Sequence, residues 1–322
     1  MRARALANVA LVKYFGKRDT ELNLPATGSL SLALEPLATT TEVSFDGSLE
    51  SDVVTLNGLT AEQRFSERVS SFLDLLRDLA STADRARVET SNSFPTAAGL
   101  ASSASGFAAL ALAGSAALDL TLGRDELSAL ARRGSGSAAR SIPGGVALWQ
   151  AGARADGTDS CARRIAGPGD LDLRMVIGVA DTGPKPIGST EAMELTRETS
   201  PYYGAWIESV EQDLPAAVSA VESRDLSRLG EIAESSALRM HAAALAASPG
   251  ILFWSSTTVA ALQLVRRLRA QGLGVWFTCD AGPQPKVLCS SSDEPAAARA
   301  LGELPGIEQV IRCELGGGAE LI

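Results

Sequence analysis

One stretch limits what this chain can become: Ser93-Phe-Pro-Thr-Ala-Ala-Gly-Leu-Ala-Ser-Ser-Ala-Ser-Gly106. Ahead of it, residues 86–91 alternate around Val88 and Glu89 and predict a strand. Behind it, the alanine-rich run 107–118 predicts a helix buried all round. Pro95 ends the strand, and Ala97-Ala98-Gly99 makes a tight loop almost without side chains. Ser102 and Ser103 then fall in the first turn of the helix. A helix start leaves about four amide N–H groups without internal partners, and the helix dipole adds partial positive charge there. With no bulky side chain in front, a phosphate can lie against those donors. The serine hydroxyls can add hydrogen bonds to phosphate or a ligand to Mg²⁺. Close packing explains the small residues of the helix body, but not its Pro-x-x-x-Gly-Leu-x-Ser-Ser-Ala start. No Gly-x-x-x-x-Gly-Lys-Ser/Thr string occurs, so this is not a Walker loop.

Charge narrows the partners. The net charge is −9 and no basic run exceeds a few residues, which argues against nucleic acid or an anionic membrane. An anionic substrate must then be met by local positive charge. The chain of 322 residues can bury one large core or two moderate ones. Its four cysteines, Cys161, Cys279, Cys289 and Cys313, form no Cys-x-x-Cys pair and read as reduced thiols of a cytoplasmic protein. Met1-Arg-Ala-Arg-Ala-Leu lacks the apolar core of a signal peptide, and no run approaches the ~18 apolar residues of a membrane span. His241 is the only histidine, which argues against a Ser-His-Asp triad or a multi-histidine metal site. On its own it reads as a helix-surface or core residue.

Along the chain, residues 4–13 read as a strand that runs into Lys13-Tyr14-Phe15-Gly16-Lys17-Arg18-Asp19. Lysines beside aromatics at a strand end are either snorkelling surface cations or parts of a site. Strands follow near 30–34 and 39–46, and a further strand, 52–56, meets Asn57-Gly58, a hairpin signal. Residues 65–81 predict a helix with Phe72, Leu75, Leu76 and Leu79 at core spacing. A helix at 124–133 leads to Gly134-Ser-Gly-Ser-Ala-Ala-Arg-Ser-Ile-Pro-Gly-Gly145, either a flexible loop or a binding loop. Its Gly134-x-Gly136-x-x-Ala139 mimics a dinucleotide fingerprint, but it follows a helix and no βαβ unit surrounds it. After a strand at 145–149, residues 151–170 read as loop and 171–180 as the strand crossing into a second lobe. The span 188–270 reads as helical, with amphipathic runs at 204–222 and 226–246. A strand then delivers Asp280 to Ala281-Gly282-Pro283, as a turn former or as a functional carboxylate, and a strand at 307–315 closes the chain.

The serine-rich loop resembles the phosphate loop of the GHMP kinases. The longer string Phe94-Pro-Thr-Ala-Ala-Gly-Leu-Ala-Ser-Ser-Ala104 is similar to one branch of that superfamily, the mevalonate diphosphate decarboxylases. Four further strings resemble motifs of that branch in the same order. They are Asn8-Val-Ala-Leu-Val-Lys-Tyr-Phe-Gly-Lys-Arg18, Gly134-Ser-Gly-Ser-Ala-Ala-Arg-Ser141, Leu195-Thr-Arg-Glu-Thr-Ser200 and Asp280-Ala-Gly-Pro283. The resemblance implies a two-lobed α+β GHMP kinase fold, with an N-terminal lobe over 1–175, an α/β C-terminal lobe over 176–322 and the active site in the cleft. It implies ATP-dependent decarboxylation of mevalonate 5-diphosphate to isopentenyl diphosphate, with ADP, phosphate and CO₂ released. ATP and Mg²⁺ are the implied cofactors, and the implied enzyme is a cytoplasmic homodimer.

Residue by residue, the resemblance makes Asp280 catalytic, with Lys13 beside it. Arg140 would grip a carboxylate or phosphate with its planar fork. Tyr14, Lys17, Ser135, Gly136, Ser137, Ser189 and Thr190 would contact the substrate. Pro95, Ala97, Ala98, Gly99, Leu100, Ala101, Ser102 and Ser103 would hold ATP, the two serines also serving Mg²⁺. Three departures stand out: Phe15 replaces a tryptophan, Thr27-Gly28 replaces Asn-Ser, and Thr190 stands where many bacterial members carry arginine. They keep open a phosphomevalonate decarboxylase or a related kinase. A catalytically dead ligand sensor is a further alternative, but it would have lost Asp280, Lys13 or the loop serines.

Overall fold

The computed structural model describes residues 1–94, 102–180, 183 and 187–322. In chain order, β1 (Arg2–Val12), β2 (Lys17–Asp19), β3 (Leu24–Pro25), β4 (Ser29–Asp46), β5 (Val53–Leu56) and β6 (Leu59–Thr60) come first. Helix α1 (Gln63–Ala80) and β7 (Arg85–Asn92) lead to α2 (Ser102–Ala117), α3 (Arg124–Gly134), the single turn α4 (Ala138–Ser141), β8 (Val146–Trp149) and β9 (Ala162–Ala166). Then come β10 (Arg174–Val179), α5 (Ser189–Thr199), α6 (Tyr203–Glu222), α7 (Leu226–Leu245) and α8 (Ser256–Ala270). β11 (Val275–Thr278), β12 (Lys286–Cys289), α9 (Glu294–Gly302), β13 (Gln309–Leu315) and β14 (Glu320–Leu321) complete this α+β architecture.

β4 is the hub of the sheet. The two strands expected near 30–34 and 39–46 are one long strand, because different neighbours hold its two halves. β8 pairs along 29–32, β13 at 34 and 35, β7 along 39–46, and β1 follows much of its length. From β13 the sheet continues through β10 and β12 to β11, so strands from both ends of the chain share one hydrogen-bonded network. In β7, Ala86, Val88 and Thr90 face inward while Arg87, Glu89 and Ser91 face water, the alternation of a sheet with one wet face. The Asn57-Gly58 signal is a tight hairpin between β5 and β6, with φ of 52° and 78° at the two turn residues. The 151–170 stretch, expected as loop, contains β9, which pairs with β8. Leu79, expected in the core, is 55% exposed, since the last turn of α1 runs past the core that Val69, Phe72, Leu73 and Leu76 fill.

Two packing events place the site. Helix α2 carries Ala108, Ala109, Ala111 and Ala113 fully buried and lies against β1 and β4. Side chains this small let helix and sheet approach closely. On the other side, α7 packs on both β1 and β11. One apolar cluster therefore joins Leu11, Phe15 and Leu32 to Met175, Met240 and Leu288, and the ends of β1 and β11 meet at its edge. Among the described residues, no helix is long and apolar enough to cross a membrane.

Candidate active site

Asp280 stands just beyond β11, where a bond from the Gly282 N–H to its carbonyl (2.7 Å) turns the chain at once. Lys13 follows the last residue of β1 and is buried, with its stem in the core. Its Nζ donates to the Ala10 carbonyl and to Asp280 Oδ1, both at 2.7 Å, while its backbone N–H donates to Ser236 Oγ on α7 at 3.0 Å. Lys286 pairs with Thr278 across the β11–β12 hairpin, which brings its Nζ to 3.3 Å from Asp280 Oδ2. Burial would raise the Asp280 carboxyl, but the two ammonium groups, one on each oxygen, more than offset it and hold it well below the usual carboxylate range. Burial pulls Lys13 below its ordinary value, against the opposing charge of Asp280. Behind the carboxylate, His241 of α7 is in the core, tilted 43° against Trp254 with ring centroids 4.6 Å apart. Burial, reinforced by the Lys13 charge, pushes it down to about 3, so it stands neutral.

Arg140 sits on α4 and is buried at 3% exposure. Its Nε donates to Asn8 Oδ1 (3.1 Å) and its Nη1 to Ser29 Oγ (2.9 Å). The rings of Trp149 and Tyr14 flank the guanidinium at 5.4 and 5.7 Å. Burial lowers its pKa to about 10, which leaves it charged at neutral pH. Asn8 also donates to the Ser137 carbonyl at 3.0 Å and to Ser141 Oγ at 2.8 Å, so one amide ties β1 to the 135–141 segment. The Tyr14 hydroxyl lies over Gly136, where a Cβ would come within 2.5 Å of it. Among the described residues that buried hydroxyl has no hydrogen-bond partner.

The first described turn of α2 meets the segment that follows α3. Ser103 Oγ at the start of α2 is 3.4 Å from Ser135 Oγ, which is 3.3 Å from Ser137 Oγ. A cavity of about 180 Å³ adjoins them, lined by Ser102, Ser103, Phe65, Arg68, Asn92 and Phe107 among others. Arg68 of α1 covers the Phe107 ring at 5.1 Å and donates to the Gly134 carbonyl at 3.2 Å. Lys17 opens β2, and its Nζ lies 3.4 Å from Thr190 Oγ1 in the first turn of α5, where Ser189 is the first helical residue. Pro95, Ala97, Ala98, Gly99, Leu100 and Ala101 lie outside the described residues. Among those described, no group of three or more His, Cys, Asp or Glu side chains could hold a metal.

Asn8, Arg68, Ser236, His241 and Lys286 join this arrangement without having been expected in it. For two of them a signal existed: Asn8 is the one amide inside the apolar run 5–12, and Lys286 is a lone cation opening the apolar strand Lys-Val-Leu-Cys. A buried polar group in such a strand needs a partner.

The family model described as diphosphomevalonate decarboxylase-like N-terminal domain matches residues 5–162, and that of the mevalonate 5-diphosphate decarboxylase C-terminal domain matches 175–315. Diphosphomevalonate decarboxylase mvd1 of Aspergillus fumigatus is 36% identical, over 94% of this chain and 80% of its own length. A phosphomevalonate decarboxylase of Haloferax volcanii is 32% identical, over 100% of this chain and 98% of its own. A solved mevalonate diphosphate decarboxylase from Enterococcus faecalis, studied for ATP binding, is 42% identical with a TM-score of 0.93, covering 100% of this chain and 98% of the other.

Proposed function

The chain belongs to the mevalonate diphosphate decarboxylase family, and from that membership we propose that it carries out the ATP-dependent decarboxylation of mevalonate 5-diphosphate to isopentenyl diphosphate. The observation that carries the reading is the Asp280 carboxylate, held ionised by two lysines at the meeting point of β1 and β11. A tertiary hydroxyl is a poor leaving group, so ATP must first phosphorylate it. Phosphoryl transfer has a loose transition state and asks mainly for positioning and charge neutralisation. Asp280 orients the hydroxyl and takes its proton late. Lys13 keeps Asp280 ionised and adds positive charge where the phosphoryl group passes. Departure of the new phosphate leaves positive charge at the substrate's C3, which Asp280 steadies until loss of CO₂ quenches it as an alkene.

Arg140 keeps its Nη2 free of protein partners among the described residues and uses it on the substrate carboxylate. Asn8, Ser29 and the flanking rings fix the plane of that fork. Tyr14, Lys17, the 135–137 turn, Ser189 and Thr190 hold the substrate phosphates. Ser102, Ser103 and the loop 95–101 take the ATP phosphates, and the neighbouring apolar cavity takes the base. Hydroxyls together with phosphate oxygens are the hard donors Mg²⁺ prefers, so Ser102 and Ser103 fit the ion, which supplies charge neutralisation when bound. The free thiols and the net charge of −9 support a cytoplasmic enzyme.

A second reading, decarboxylation of the monophosphate, draws on Thr190, whose hydroxyl meets Lys17 and adds no charge of its own. The test is to supply ATP with mevalonate 5-phosphate or 5-diphosphate and follow CO₂ and ADP. We expect one CO₂ per ADP and a higher kcat/KM for the diphosphate. A higher value for the monophosphate replaces this reading with the second, and no CO₂ from either overturns both.

A further inference from the structure

The roles above leave one buried charge beside Asp280 without a task. Lys286 is 1% exposed, opens β12 between buried neighbours, and reaches Asp280 Oδ2 at 3.3 Å while its Nζ also donates to the Gln284 carbonyl at 3.3 Å. Among the described residues the ion pairs of Lys13 and Lys286 are both to Asp280. One ammonium group already balances the charge of the carboxylate. A second ammonium group in the core adds desolvation cost and repulsion between the lysines, which makes it a poor device for stability alone. What it does supply is geometry, because a carboxylate anchored through Oδ1 only can still rotate about Cβ–Cγ, whereas anchors on both oxygens fix its plane.

We infer that Lys286 is a positioning residue that acts through Asp280, fixing the carboxylate plane and leaving, with Lys13, an excess positive charge for the transferred phosphoryl group to balance. The groups facing Asp280 agree with this. Lys13 comes from the end of β1, Lys286 from β12, Arg140 from α4, His241 from α7, and Cys279 is its neighbour in the chain. His241 is neutral, burial pushes the Cys279 thiol up to about 11, and Glu234 of α7 is already paired with Arg269 at 2.9 Å, so none of these three groups offsets the cations.

This inference rests on the decarboxylase reading, and the wild-type assay separates the two: a wild-type chain that releases no CO₂ overturns the reading and the inference together. With an active wild type, Lys286→Met keeps the bulk of the stem and removes the charge. The expected result is a fall in kcat of about 30-fold, with KM for ATP and for the phosphorylated mevalonate within about threefold, because an interaction made in the transition state is lost. Lys286→Arg restores the charge and is expected to recover at least about tenfold of that loss. A Lys286→Met enzyme with kcat within about threefold of wild type overturns the inference. So does a Lys286→Arg enzyme no more active than Lys286→Met, since that marks a fit of shape and not of charge. If Lys286→Met is not recovered folded, Lys286→Gln carries the same pair of outcomes.

Discussion

At Asp280 the two ammonium groups that keep the carboxylate ionised also make it a weak base, so its value to the reaction lies in orientation and charge. Asp280→Ala is therefore expected to leave kcat below about a tenth of wild type, a barrier increase above ~1.4 kcal/mol, with affinity for an ATP analogue unchanged. A variant above that rate removes Asp280 from the chemistry. His241, a few residues along α7 from Ser236, makes a prediction about stability. Its ordinary value is 6.5 and its folded value about 3, lowered by burial and by Lys13. Between those values the unfolded chain binds a proton that the folded chain refuses, so stability falls as pH drops below about 6.5. Above that pH both states are neutral and the contribution vanishes. Phe253 and Trp254 pack on the ring, the Cys279 backbone bonds to it, Lys13, Asp280 and Lys286 act on it through their charge, and the half-buried carboxylate does not reverse the direction. Urea unfolding at pH 6.5 and 5.5 should show the wild type losing about 1 kcal/mol more than His241→Phe over that interval. Equal losses would show that His241 takes up its proton in the folded state.

The elements around the site were legible to different degrees, for reasons visible in particular segments. Ser102 and Ser103 fall in α2 as expected, because the alanine run behind them is a local signal. α4 has a single turn, too short for any periodicity to show, and β9 earns its pairing only from β8. The turn between α4 and β8 shows what holds such a segment. Gly144 has φ of +62° and a Cβ there would come within 2.0 Å of the Gly317 carbonyl oxygen, while the Gly145 N–H bonds the Gly316 carbonyl at 2.9 Å. The C-terminal glycine run thus docks on the turn that follows Arg140. Gly144→Ala meets both the left-handed strain of ~1–3 kcal/mol and a backbone clash, so a loss above ~2 kcal/mol in urea unfolding is expected. A loss under ~1 kcal/mol would show that the turn moves aside freely.

Across the whole molecule, β13 pairs with β4, β14 pairs with β1, and one apolar cluster draws on residues from Ala7 to Leu315. We expect the two halves to unfold as one unit. Residues 1–172 produced alone would leave Leu32, Leu34 and Phe15 without α6, α7 and β10 above them. Such a fragment should show no cooperative urea transition by circular dichroism, and a sharp transition would mean that the first half folds independently. The amino-acid sequence by itself determined the chemistry available: a phosphate-loop helix start with two serines, a carboxylate delivered to a strand end, a lysine after the first strand and an arginine behind a Gly-Ser loop. These were readable because capping, turn formation and periodicity depend on neighbours a few residues apart. No local signal shows which of those groups share a site: the family resemblance set Lys13 beside Asp280, and the tertiary structure decides it physically. Lys13 and Asp280 are 267 positions apart, Asn8 and Arg140 132, and the sheet that closes through β4 sets both distances. Lys286 became part of the site for the same reason, since its cross-strand partner, and not its own neighbours, aims it at Asp280.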